Sequence, residues 1–209
     1  QSGYSLEWHA GLLYVAGGTR DSDPPTTLNS LRAFNEATGL WDELPPMPHA
    51  CFNAASGVIG DQLLIVGGSG SAAGSLLMLQ IYDIATRTWQ IGPPLPVENR
   101  WGVIPKRGVV VDEKLFVLFS SRPTCVYDPH SESWTEEAAP PNVDMYGHSC
   151  VHNGRLVDIS TEVIGDRWDR SLQHVMFERA TDGSWSRSGE EFDGTELSHA
   201  YVSESVLLG

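Results

Sequence analysis

Apolar residues in this chain come in short dense runs, the longest about five residues, as in Leu115–Phe119, and polar turn-forming stretches separate them. Runs of that length bounded by Gly, Pro, Asp and Ser predict β-strands rather than helices. One pattern recurs four times. Each copy opens with an apolar strand that ends in small residues: Leu12-Leu13-Tyr14-Val15-Ala16-Gly17-Gly18, then Leu63-Leu64-Ile65-Val66-Gly67-Gly68. The third reads Leu115-Phe116-Val117-Leu118-Phe119-Ser120-Ser121 and the fourth, more degenerate, Leu156-Val157-Asp158-Ile159-Ser160. A variable connection follows, then an aromatic residue with tryptophan seven positions later: Phe34/Trp41, Tyr82/Trp89 and Tyr127/Trp134. The fourth copy has Phe177/Trp185, with one extra residue beside Asp182-Gly183. Pro-rich segments (Pro45–Pro48, Pro93–Pro96, Pro140-Pro141) follow the first three tryptophans.

The spacing of seven has a physical reading. Tyr82 and Trp89 flank a polar hexapeptide, and folding it about its midpoint sets the two rings opposite each other on adjacent strands. Such aromatic cross-strand pairs stabilise a sheet by roughly 0.2–1 kcal/mol. Gly39 and Gly183 are expected to supply the positive φ of a short turn. The glycine pairs leave room for a bulky ring from a neighbouring sheet to approach the backbone. The prolines end the ladder and carry the chain to the next unit. Trp41, Trp89, Trp134 and Trp185 are expected at equivalent places in successive units, mostly buried against the next sheet.

The Gly-Gly strand end followed by Tyr82-x6-Trp89 and its relatives resembles the kelch motif, repeated in phase over residues 4–187. The resemblance implies an all-β fold, a kelch-type β-propeller of four-stranded antiparallel blades, the first strand of each near the central axis. Four blades are recognisable, in approximate repeats 4–48, 49–96, 102–141 and 145–190. Residues 197–209 read as the start of a fifth, so the chain is expected to be a fragment of a larger propeller. The structural motif residues are Gly17, Gly18, Phe34, Trp41, Gly67, Gly68, Tyr82, Trp89, Tyr127, Trp134, Phe177 and Trp185. Innermost strands are expected near residues 6–10, 52–59, 108–112 and 147–152. Ser120-Ser121 and Ile159-Ser160 depart from the glycine pair.

Charge narrows the partners. Acidic residues number 27 against 13 basic, a formal charge of −14, which repels phosphate backbones and anionic lipid, so neither nucleic acid nor membrane is an expected partner. The three cysteines, Cys51, Cys125 and Cys150, form no C-x-x-C pair, and no Asn-x-Ser/Thr acceptor occurs. An intracellular, cytoplasmic or nuclear location is the expectation. The start, Gln1-Ser2-Gly3-Tyr4, lacks an initiator Met and a signal-like region and reads as a trimmed end.

In kelch propellers the connections from strand 2 to 3, and from strand 4 to the next blade, share a rim that carries binding residues. Here the first set spans about 19–30, 69–77, 121–124 and 161–174, and the second about 43–53, 92–107, 137–147 and 188–199. The candidate rim is Arg100, Trp101, Arg107, Arg122, Tyr146, His148, Arg167, Trp168 and Arg170. Arg, Trp and Tyr dominate interface hot spots, and guanidinium forks pair carboxylates bidentately. An acidic or phosphorylated segment of a protein partner is the expected ligand, with Arg100 and Arg167 as anchors. Salt bridges to Glu98, Asp144, Asp166 and Asp169 are the competing arrangement.

No metal or cofactor is expected. His148, Cys150 and His152 alternate on one strand, ~7 Å apart along it, too far to share one tetrahedral ion unaided. Iron-dependent kelch specifier proteins use two acids and a histidine at intervals that Glu162, Asp166 and Arg170 would match, but guanidinium cannot ligate a metal. No catalytic residue is identified. The reading is a non-enzymatic protein-interaction module, resembling the substrate-recognition domain of F-box or BTB ubiquitin-ligase adaptors, with a plant F-box/kelch flavour. A ligase scaffold would be engaged through a segment not present here. The alternatives are a small-molecule propeller enzyme and an actin- or scaffold-binding kelch protein.

Overall fold

A computed structural model of the chain describes residues 3–22, 26–70, 74–75, 77–97, 104–105, 107–119, 122–141, 148–164 and 171–188. Every regular element among them is a strand. The chain divides into two units, Gln1–Glu137 and Ala138–Gly209.

The first unit holds three four-stranded antiparallel sheets. Sheet one orders β1 (Ser5–His9), β2 (Leu12–Ala16), β5 (Leu31–Asn35) and β6 (Leu40–Leu44), with a two-residue ribbon of β3 (Thr19–Arg20) and β4 (Thr26–Thr27) beside it. Sheet two repeats this with β7 (Ala55–Ile59), β8 (Gln62–Val66), β11 (Leu79–Asp83) and β12 (Thr88–Gly92), and with the ribbon β9 (Ser69–Gly70) and β10 (Gly74–Ser75). Sheet three is β13 (Arg107–Val111), β14 (Lys114–Leu118), β15 (Thr124–Asp128) and β16 (Ser133–Glu137).

The middle sheet is apolar on both faces because it is covered on both. Leu63 and Ile65 of β8 and Tyr82 of β11 pack with Tyr14, Ala16, Leu31 and Ala33 of sheet one. The alternate residues Leu64, Val66, Leu79 and Ile81 pack with Leu115, Val117, Cys125 and Tyr127 of sheet three. Strand side chains point alternately to opposite faces, so the run Leu63-Leu64-Ile65-Val66 feeds two cores at once. Each fully buried side chain of this kind contributes roughly 1.5–3 kcal/mol.

The aromatic pairs form in register. Phe34 sits opposite Trp41, Tyr82 opposite Trp89 and Tyr127 opposite Trp134, with ring centroids 5.2, 5.0 and 5.1 Å apart. Gly39 and Gly183 have φ of 69° and 83° in their turns. The glycine pairs play a different part from the one expected of them. All four residues have positive φ, and what approaches Gly17 and Gly68 is the backbone of the chain entering sheet two, which is the next sheet for Gly17 and its own sheet for Gly68, not a ring. A Cβ on Gly17 would overlap the Cys51 carbonyl oxygen, and one on Gly68 would lie 2.6 Å from that of Phe52. At Gly67 a ring does approach: an added Cβ would lie 2.8 Å from Cγ of Pro105.

The tryptophans also differ from expectation. They are not core residues: Trp41 is 50% exposed, and Trp89, Trp134 and Trp185 are half-buried. Each bond is made backwards along the chain. Trp89 Nε1 donates to the Pro45 carbonyl at 2.8 Å, Trp134 Nε1 to that of Pro93 at 2.9 Å, and Trp185 Nε1 to that of Ala138 at 3.1 Å. Every acceptor lies four residues beyond the tryptophan of the preceding copy.

Among the described residues the second unit contains one sheet, β17 (His148–His152), β18 (Arg155–Ile164), β19 (Ser171–Arg179) and β20 (Trp185–Arg187). Two expectations are corrected here. Residues 161–174 do not form a simple loop: β18 and β19 stay paired out to Ile164↔Ser171. Trp185 faces Arg179 rather than Phe177, because the turn over residues 180–184 is longer than its counterparts. Inside the sheet, the fully buried Asp158 carboxylate accepts hydrogen bonds from Ser149 Oγ (2.5 Å) and Ser160 Oγ (2.7 Å).

Candidate functional site

The inner strands of the first unit bring together charged groups that the sequence leaves far apart. Glu7 lies on β1, Ser56 on β7 and Arg107 opens β13. Ser56 Oγ donates to Glu7 Oε1 at 2.6 Å. Burial pushes the Glu7 pKa up, and the Ser56 hydrogen bond and the Arg107 charge partly offset that rise. β13 reaches this place because its second residue is Gly108, where a Cβ would overlap the Ser56 backbone. The result is a carboxylate beside a cation across three neighbouring strands, with the Arg107 side chain exposed to solvent.

Of the other expected rim residues, Arg122 is half-buried in the connection between β14 and β15, and its charge reaches Cys125. His148 is the first residue of β17, and its side chain lies outside what is described. Arg100, Trp101, Tyr146, Arg167, Trp168 and Arg170 also fall outside the described residues, as do Glu98, Asp144, Asp166 and Asp169. The strand-2-to-3 connections of sheets one and two are not plain loops, since they contain the ribbons β3–β4 and β9–β10.

Cys51 and Cys125 are buried free thiols whose pKa burial pushes up to about 11, so neither supplies thiolate at neutral pH. Among the described residues no group of three or more His, Cys, Asp or Glu side chains converges to hold a metal ion. No helix among them is long and apolar enough to cross a membrane.

Two features escaped the sequence reading. The Glu7–Ser56 contact joins residues 49 positions apart, and no local signal announces it. Gln80, 1% exposed, holds His49 with both ends of its amide: Oε1 accepts from His49 N at 2.8 Å and Nε2 donates to His49 O at 3.2 Å. Here a signal existed, a lone amide between Leu79 and Ile81 in an otherwise apolar strand.

Comparison with known proteins places these features. The family model described as Kelch motif matches residues 2–48 and 50–96. Kelch-like protein 38 of Rattus norvegicus is 23% identical over 71% of this chain and 25% of its own length. Kelch repeat and BTB domain-containing protein 12 of Danio rerio is 29% identical over 51% of this chain and 19% of its own. An F-box/kelch-repeat protein of Arabidopsis thaliana is 24% identical over 56% and 31%. The chain thus spans less than a third of the length of each of these relatives. Among solved structures, that of YjhT superposes with a TM-score of 0.68 at 16% identity, covering 90% of this chain and 70% of that one. That likeness concerns the fold.

Proposed function

Because the chain belongs to the kelch-repeat family, with its sheets built as β-propeller blades, we propose that it is a non-catalytic protein-interaction module serving as the substrate-recognition part of a ubiquitin-ligase adaptor. One observation carries this reading: the similar proteins include kelch repeats joined both to BTB and to F-box segments. On the resemblance to F-box and BTB ligase adaptors, such a segment would connect the kelch domain to a ligase scaffold and the kelch part would select the substrate. The proposed location is intracellular, cytoplasmic or nuclear.

The surface proposed to select the substrate is the arginine-bearing rim, with Arg100 and Arg167 as anchors and Arg107 and Arg122 flanking them. An acidic or phosphorylated peptide segment is its proposed ligand, since a cationic rim on a chain of formal charge −14 is a local reversal of sign that steers anions to one place. Affinity purification of the full-length protein, with identification of the co-purifying proteins, tests the reading. Recovery of a cullin-type scaffold together with a substrate that is lost on Arg100→Ala or Arg167→Ala is the expected result. Recovery of partners indifferent to both substitutions and to salt would refute the rim, and absence of any ligase scaffold would refute the adaptor role.

A further inference from the structure

Between sheets one and two lies a cavity of about 170 Å³, and neither Arg107 nor Arg122 lines it. Its walls are largely apolar, formed by Leu12 and Leu44 of sheet one and Ile84 of the β11–β12 turn. Two buried tyrosines help line it, Tyr14 at 2% exposure and Tyr82 at 1%. The Tyr82 hydroxyl is buried with no hydrogen-bond partner, which for a polar group removed from water carries a desolvation penalty. Arg87 and Asp42, both exposed, complete the lining at the mouth. The Arg87 charge falls on both phenols, and Arg87 enters no ion pair among the described residues.

The repeat supplies an internal comparison. The corresponding place between sheets two and three is a cavity of about 80 Å³. There Tyr127 stands where Tyr82 does, Gln90 replaces Asp42, and Glu132 replaces Arg87 at the same left-handed turn position, φ 49° against 57°. The smaller cavity therefore presents an acid where the larger presents a cation. The difference lies in the side chains, not in the scaffold.

We propose that the larger cavity binds a small monocarboxylate whose apolar body is no larger than a benzene ring, its carboxylate facing Tyr82 and Arg87. Size fits, since apolar cavities of about 150 Å³ take up benzene. Donors fit, since two tyrosines and a guanidinium line the cavity, against the Asp42 carboxylate on its wall and the Asp61 and Asp83 charges that reach the phenols. Burial pushes both phenol pKa values up, so each remains a donor at neutral pH. Asp42 disfavours a second negative charge on the ligand, which restricts the class to monoanions.

Sodium benzoate and the neutral analogue benzyl alcohol are the probes, titrated into the whole chain while its methyl resonances are followed by NMR. Saturable shifts at Leu12, Leu44 and Ile84, in the millimolar range or tighter, are expected for benzoate, with benzyl alcohol about fivefold weaker or worse. Tyr82→Phe keeps the ring packing and removes the orphan hydroxyl. Arg87→Asn removes the charge with a residue that tolerates left-handed backbone. Each should weaken benzoate about fivefold or more, and the Arg87 variant, changed only at the surface, decides the matter if the Tyr82 variant does not fold. Absence of saturable shifts, equal affinity for benzyl alcohol, or indifference to the substitutions would each overturn the proposal and leave a cavity filled by water.

Discussion

Sheets one and two are built from the same repeat, yet they place equivalent residues in different surroundings. In sheet two the face carrying Leu63, Ile65, Tyr82 and Trp89 lies against sheet one. In sheet one the matching face carries Leu6, Trp8, Phe34 and Trp41, and its rings face solvent: Trp8 is 52% and Trp41 50% exposed. The aromatic pair itself is unaffected, with centroids 5.2 Å apart in one sheet and 5.0 Å in the other. The cross-strand pair is therefore a property of the hairpin, whereas burial of the tryptophan and its Nε1 bond are properties of the neighbouring sheet. The same position in the repeat is worth different amounts in the two blades.

The largest expected effect tests that difference directly. Trp89→Ala removes ring packing and the bond to the Pro45 carbonyl, and should cost about 2–4 kcal/mol. Trp41→Ala removes the ring pair with Phe34 and the contact with Arg32, whose guanidinium lies 6.0 Å from the Trp41 ring centroid, and should cost less than about 1 kcal/mol. Urea unfolding of both variants beside the parent measures the gap. Equal losses would show that the face of sheet one is covered in solution.

A second pair of equivalent positions should show an intermediate gap. Gln80 and Arg32 each follow the first residue of the third strand in their sheets. Gln80 is buried and satisfies both backbone groups of His49, so Gln80→Leu orphans a donor and an acceptor and should cost about 2 kcal/mol. Arg32 pairs with Glu43 at the surface, and Arg32→Ala should cost about 0.5 kcal/mol or less. Thermal unfolding of the two variants checks the order. A Gln80→Leu variant as stable as the parent would mean that His49 finds water instead.

What was legible in the sequence follows the range of the interaction. The rings opposite each other, the turn glycines and the four strands per unit are set within one hairpin or its neighbour, so spacing exposes them. The partner of Trp89 lies 44 residues away and that of Trp134 lies 41 away, and spacing within a copy carries no trace of direction, which is why the tryptophans were expected against the next sheet and instead bond to the chain that precedes their own. In the fourth sheet one extra turn residue shifts the ladder, so Phe177 meets Arg187 in place of Trp185. The candidate site was the least legible part. Of the residues proposed for it, Arg107 and Arg122 can be placed with their side chains, and Arg107 works on Glu7, a residue no motif marks.

The smallest effect concerns the covered face of β1, which is polar where the open face is apolar. Ser5, Glu7 and His9 alternate with Leu6 and Trp8, and they reach Ala54, Ser56 and Asp61 of the second blade. Because burial raises the Glu7 pKa, the folded chain holds that proton more tightly than the unfolded one. The corresponding stabilisation is complete below the ordinary glutamate range and is lost as pH rises through the raised folded value. Glu7→Gln keeps an acceptor for Ser56 Oγ without a charge to desolvate. Its urea midpoint should therefore gain on that of the parent as pH rises from the ordinary glutamate range, about 4.3, through the raised folded value. Arg107→Gln should move the other way over the same window, since losing the cation raises the folded Glu7 pKa further and deepens the loss. In the double variant the Arg107 effect should vanish, because the charge it acts on is gone. Parallel midpoints for parent and Glu7→Gln across the window would show that the carboxylate stays hydrated, and that the polar face of β1 is no more enclosed than the apolar one.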